Sequence, residues 1–280
     1  MGKLKGFTLV ELLVVIAIIA LLMSILMPAL AKVRTQAKAV ICIAQLKQWG
    51  TCFTAYANDH DGYFPRGWFE PDNLVTPQDY WMEALRSCYR DGDLRLCPSA
   101  TKMGTELGLN EYGNGGGPFS AWGVFSGDIG EVSDAWWCVM GGDYGSYGWN
   151  SYICNIPDTG EVDLFYIKNN WKNANVSGGT EIPMFMDHKW LDCWPDHRDE
   201  PPDFDAQEWG TGSQMQRICQ NRHEGYINIV FMDCTVRKVG LKELWTLKWH
   251  RTFEVDGPWT TAGGVQPSDW PEWMKNFTEY

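Results

Sequence analysis

Basic residues are scarce in this chain: 23 Lys and Arg stand against 35 Asp and Glu over 280 residues, a formal charge of −12. The shortage is confined to the larger part of the chain. Residues 1–50 carry six Lys or Arg against Glu11 alone, +5, which leaves −17 for residues 51–280. A surface of that sign repels phosphate backbones and anionic headgroups, so nucleic acid is excluded as a partner. Local catalytic motifs are missing as well: there is no His-x-x-x-His pair, no Gly-x-Ser-x-Gly elbow and no phosphate-binding loop. None of the nine cysteines (42, 52, 88, 97, 138, 154, 193, 219 and 234) has Cys-x-x-Cys spacing, which argues against a zinc knuckle or a dithiol redox motif. From Phe7 to Ala31 charge itself is nearly absent, Glu11 being the one ionisable residue.

What occupies that stretch is an unbroken apolar run. Its 25 residues make a helix of about 37 Å, longer than the roughly 30 Å of a bilayer's hydrocarbon core. The short leader before it, residues 1–6 with Lys3 and Lys5, stays cytoplasmic under the positive-inside bias. A carboxylate five residues into such a helix is costly in lipid, so Glu11 is read as functional. A secretory signal is cut after its apolar run at a small-residue site, here near Met27–Ala31, and that reading leaves Glu11 without a purpose. The helical spacing then continues through Val33, Ala37, Val40, Ile41, Ala44, Leu46, Phe53 and Tyr56, with polar residues between them. Phe7–Asn58 is therefore predicted as one helix: a membrane half over residues 7–31, an amphipathic half over 32–58, then an exported globular domain over 59–280. Pro28 removes one backbone hydrogen bond and is expected to kink it.

The segment Asn58-Asp59-His60-Asp61-Gly62-Tyr63-Phe64-Pro65 reads as a terminating turn. Asn58, Asp59 and Asp61 are also the calcium candidates of the chain, although the glutamate that completes an EF-hand is missing. No other cofactor is expected. Residues 78–90 read as a short helix, 104–150 as glycine- and aromatic-rich loops with short strands, and Ser151–Asn155, Val162–Ile167 and Glu181–Asp187 as strands. Asp187, His188, Asp192, Asp196, His197 and Asp199 crowd one loop, read as a solvated acidic face, with a structural cation, calcium first, as the alternative. Ile227, Ile229 and Phe231 alternate with Asn228, Val230 and Met232, and Thr235–Val239 returns after Asp233-Cys234, a β-hairpin. Sixteen tryptophans serve as core filler or, at Trp122, Trp149 and Trp259, as a sugar-stacking platform.

The string Gly6-Phe7-Thr8-Leu9-Val10-Glu11-Leu12, with Pro28 behind it, resembles the N-terminal signal of type IV prepilins and type II secretion pseudopilins. Tyr56, Asp59, Gly62 and Pro65 are similar to the end of the pseudopilin stem helix. His223 and Asp233, nine residues apart, resemble a prepilin-like group with a His-nine-residues-Asp-Gly signature, except that Cys234 stands where the glycine would be. Such a turn needs a positive φ, unfavourable for cysteine; this points to a different turn or to a disulfide to Cys193 or Cys219. Cys97-Pro98-Ser99 is similar to a further motif of these proteins, and Cys97 has Cys88 and Cys42 as alternative disulfide partners in an oxidising compartment.

The resemblance implies an α+β, pilin-like fold, with a long stem helix on a small antiparallel sheet and long loops. It implies cleavage after Gly6 and N-methylation of Phe7 by a prepilin peptidase. It implies assembly through Glu11 with other pseudopilin subunits and an inner-membrane platform. The chain would sit as a single span with the N-terminus cytoplasmic and the rest periplasmic, then in a pseudopilus or at the cell surface. It would be a structural subunit, not an enzyme; the alternative is a membrane-tethered surface protein that binds glycans through its aromatic loops.

Overall fold

The computed structural model describes residues 9–67, 79–89, 92–102, 116–123, 132–133, 136–140, 143–158, 164–205 and 212–280, with backbone alone for 132–133 and 136–140. Helix α1, Leu9–Asp59, runs unbroken for 51 residues, passing through Pro28. It ends where Gly62 N–H donates to the Ala57 carbonyl at 2.7 Å and Asp61 takes a left-handed conformation, φ 54°, which satisfies a terminal carbonyl of the helix. After it come α2 (Trp81–Ala84), the short strands β1 (Trp122–Gly123), β2 (Val132–Ser133), β3 (Trp136–Met140) and β4 (Tyr144–Gly145), and then the main sheet. The sheet consists of β5 (Tyr147–Asn150), β6 (Pro183–Asp187), β7 (Asp192–Cys193), β8 (Tyr226–Phe231) and β9 (Val236–Gly240), with α3 (Leu164–Asn169) between β5 and β6. Its order is β7-β5-β6-β8-β9, antiparallel throughout except for the parallel β5–β7 pair. The architecture is α+β: a long apolar helix packed on a mixed sheet, consistent with a pilin-like fold.

Two expected strands are helical. Ser151–Ile153 forms a 3-10 turn capped by the Asn150 side chain, which accepts from Tyr152 N–H. Leu164–Asn169 is α3, closed by Asn169 Nδ2 donating to the Phe165 carbonyl four residues back. Apolar runs this short satisfy either period, and the local side-chain bonds decide.

The helix packs by a stripe that the predicted spacing contains only in part, at Leu46 and Phe53. Ala39, Cys42, Leu46, Trp49, Phe53 and Ala57 are buried, at spacings of three and four, whereas Val33, Ala37, Val40, Ile41 and Ala44 from the expected face are exposed. The buried stripe contains small residues, and these let the helix lie close to β8. Gly50 is the tightest point: a Cβ there would sit 2.9 Å from Val230 Cγ2. Gly50→Leu is accordingly expected to destabilise the chain by about 1–3 kcal/mol through overpacking, read as a lowered melting temperature of the detergent-solubilised protein. Unchanged melting would contradict this close approach.

The sheet has two apolar faces. On the α1 side, Trp149, Phe185 and Val230 of the sheet pack with Trp81 of α2 and with Trp49 and Phe53 of the helix. Away from it, Ile227, Ile229 and Phe231 pack under Trp245, Trp249, Trp270 and Met274 of the C-terminal segment. Of the residues singled out as a sugar platform, Trp122 and Trp149 are fully buried core, and Trp259 is half-buried beside Trp245 and Trp270. The hairpin forms as read, and Cys234 does take a positive φ of 63°. No disulfide holds it there: Cys234 Sγ lies 2.9 Å from Thr54 Oγ1, and Lys47 Nζ donates to the Cys234 carbonyl at 2.6 Å. The turn is pinned to α1, while Cys193 and Cys219 are buried as thiols elsewhere.

Candidate functional site

Gly6 and Phe7 lie outside the described residues, and Glu11 sits in the first turn of α1. From Leu9 to Arg34 every residue of the helix is exposed. This half is long and apolar enough to cross a membrane. Asn58, Asp59 and Asp61 lie exposed at the far end of α1, in the turn described above.

The predicted solvated acidic loop is not solvated. Asp187, His188, Asp192 and His197 are buried. Asp192 accepts from Tyr80 Oη at 2.5 Å and from Arg217 Nη1 at 2.7 Å. His197 lies between Asp196 and Glu254 at 3.6 and 3.3 Å. Asp199 Oδ2 accepts from the amides of Asp196, Gln214 and Met215, and burial pushes its carboxyl up to about 6. These carboxylates tie loops together, because a buried charge persists only with partners.

His223 and Asp233 are not brought together. They flank opposite ends of β8, whose six residues span about 20 Å. Asp233 is exposed and caps the hairpin turn, its Oδ1 accepting from Thr235 N–H and Oγ1. His223 instead faces Asp187 at the C-terminal end of β6, Nε2 to Oδ2 3.1 Å. Two thiols join them. Cys97 Sγ is 3.5 Å from His223 Nε2, and Cys42 Sγ, from the stem helix, is 3.5 and 3.6 Å from the two Asp187 oxygens. All four donor atoms lie within 4.8 Å of one another, and all four residues are buried.

Arg222 completes the group. Its fully buried guanidinium donates to Asp187 Oδ1 at 3.0 Å and to the carbonyls of Gly117, Pro118, Ser146 and His188. Asn228 N–H donates to Asp187 Oδ2 at 2.9 Å. Burial alone would raise the Asp187 carboxyl, but His223, Arg222 and this amide outweigh it and hold it well below the usual carboxylate range. Burial pulls His223 down, yet Asp187 and then Cys97 raise it to about 9. Burial pushes the Cys42 thiol up, with Cys97 and Asp187 adding to it. At Cys97 burial also raises the thiol, but hydrogen bonds from Cys42 and His223 and the charge of Arg222 lower it to about 6. In the sequence Cys42 and Cys97 pair only as one of two disulfide options, Asp187 falls in the loop read as an acidic face or a cation site, and Arg222 carries no local signal of this role.

Comparison with known proteins adds one match, at the other end of the chain. Residues 1–27 fit the family model described as the prokaryotic N-terminal methylation motif, whereas no curated protein and no solved structure matches. That motif, followed by the exposed apolar half of α1, suggests membrane anchoring. The chain carries a prepilin-type N-terminal methylation motif on a long apolar helix.

Proposed function

We propose that this chain is a structural subunit of a type II secretion or type IV pilus-like filament, processed at its N-terminus and polymerised through α1. The observation that carries the reading is the second apolar stripe of that helix. Val33, Val40 and Ile41 are 57%, 64% and 49% exposed, beyond the length a bilayer covers and on the side of α1 away from the stripe that packs on the sheet. A lone anchor has no use for an apolar face outside lipid. A bundle of stem helices does, since neighbouring copies bury that face against one another.

In this reading the prepilin peptidase cuts after Gly6 and methylates the Phe7 amine. The leader is cytoplasmic, the globular domain lies across the inner membrane, and an assembly platform draws the subunit out to join others. No step asks the chain for catalysis. Intact mass and N-terminal peptide mapping of the purified chain test the processing: the mature protein is expected to begin at N-methyl-Phe7, and Gly6→Val to retain the leader. A chain beginning at Met1, or cut beyond residue 27, would remove the proposal.

A further inference from the structure

We propose that Cys42, Cys97, Asp187 and His223 form a closed structural site for a divalent transition metal, with zinc the ion that suits its donors. Two sulfurs, one imidazole nitrogen and one carboxylate oxygen are the donor types zinc takes in tetrahedral sites. The geometry agrees. Zinc bonds of about 2.3 Å to sulfur and about 2.0–2.2 Å to nitrogen or oxygen give tetrahedral edges of about 3.6 Å from sulfur to nitrogen or oxygen, and about 3.3 Å from nitrogen to oxygen. With Asp187 Oδ2 as the oxygen donor, the corresponding separations are 3.5 Å for Cys97 Sγ to His223 Nε2, 3.6 Å for Cys42 Sγ to Asp187 Oδ2 and 3.1 Å for His223 Nε2 to Asp187 Oδ2. Three of the six edges of a zinc tetrahedron are thus matched, and all four donors lie within 4.8 Å of one another.

Charge and surroundings favour the same occupant. Two thiolates and a carboxylate exceed the charge of a divalent ion by one, and the buried Arg222 guanidinium on Asp187 Oδ1 neutralises that excess. Arg222 and the Asn228 amide also fix the carboxylate's orientation, the supporting role that outer partners of metal ligands play. All four ligands are buried, so no position is open to substrate and the site is structural. A Cys42–Cys97 disulfide would use two of the four donors and leave a buried carboxylate and imidazole aimed at a neutral sulfur pair. The ligands come from α1, the Leu96–Ala100 turn, the end of β6 and the segment leading into β8. The ion would therefore bolt the stem helix to the sheet, independently of whether the chain polymerises.

The test uses the full chain, purified in detergent without reductant or chelator. Elemental analysis is expected to find about one zinc per chain, lost in Cys97→Ser and in His223→Ala and retained in Cys52→Ser. Because the first two variants can fail for lack of folding, the wild-type protein is also to be exchanged with cobalt. The visible bands of tetrahedral, thiolate-bound cobalt are expected, and phenanthroline is expected to lower the melting temperature. A wild-type chain that holds no metal and takes up neither zinc nor cobalt after mild reduction overturns the proposal. So does a Cys42–Cys97 cross-linked peptide recovered as the main species from a non-reducing digest.

Discussion

Glu11→Ala is expected to leave cleavage after Gly6 largely intact and to abolish incorporation of the chain into filaments. On the proposed reading the peptidase acts at the Gly6-Phe7 junction, upstream of the change. Assembly has a different requirement. A carboxylate in the apolar half of α1 costs about 2.5–3.5 kcal/mol in hydrocarbon on insertion scales, a penalty that a cationic partner offsets. On the filament reading that partner is the Phe7 amine of a neighbouring subunit, which reaches Glu11 only when two stem helices stack in one register. The pair would thus set subunit spacing and help draw the subunit from the membrane. The measurement is the yield of sheared filaments against the mass of the mature N-terminus, for wild type, Glu11→Ala and Glu11→Gln. Wild-type filament yield from Glu11→Ala would end this account.

Arg222→Met is expected to be among the most damaging single changes in the globular domain. It would strip the nearest permanent cation from the fully buried Asp187 and remove the donors that hold the Gly117, Pro118, Ser146 and His188 carbonyls. Breaking a buried pair from one side costs about 3–5 kcal/mol, which for a domain of this size lowers the melting temperature by roughly 6–20 °C. Arg222→Lys should recover only part of the loss, because an ammonium cannot reproduce a planar fork with five donors. A shift of only one or two degrees in Arg222→Met would mean that the network is bypassed. The change tests the polar core without touching α1's membrane half, so its outcome is separable from that of Glu11→Ala.

The features legible in sequence are those written in consecutive residues. The extent of α1 follows from an apolar run and from helical spacing that continues past Pro28 to the Asn58–Pro65 turn, and the β8–β9 hairpin from strict alternation before Asp233-Cys234. The packing face of α1 is legible only at Leu46 and Phe53, because Val33, Val40 and Ile41 are also apolar and yet face outward. Close packing on a sheet favours Ala39, Gly50 and Ala57, which hydrophobicity ranks low. The buried four-residue cluster was hidden for another reason. Cys42 and Asp187 are 145 residues apart and Cys97 and His223 are 126, so the absence of Cys-x-x-Cys spacing excludes a local knuckle and says nothing of donors gathered by topology. The nine-residue spacing of His223 and Asp233 reads as a motif, yet the partner of His223 is Asp187 on β6.

The two apolar faces of α1 make the helix a shaft with a fixed phase. The domain grips one side of residues 39–57 and the outward stripe of residues 33–44 faces the other, so the bearing of each exposed domain is set by rotation about a single axis. One residue inserted between Arg34 and Lys38 would turn the membrane half by about 100° and advance it by about 1.5 Å relative to the domain. Every side chain could keep its own fold while the two ends no longer pointed the same way. In a filament of the kind proposed, length and handedness of this connector, as much as its chemistry, would decide which face each subunit shows its neighbours.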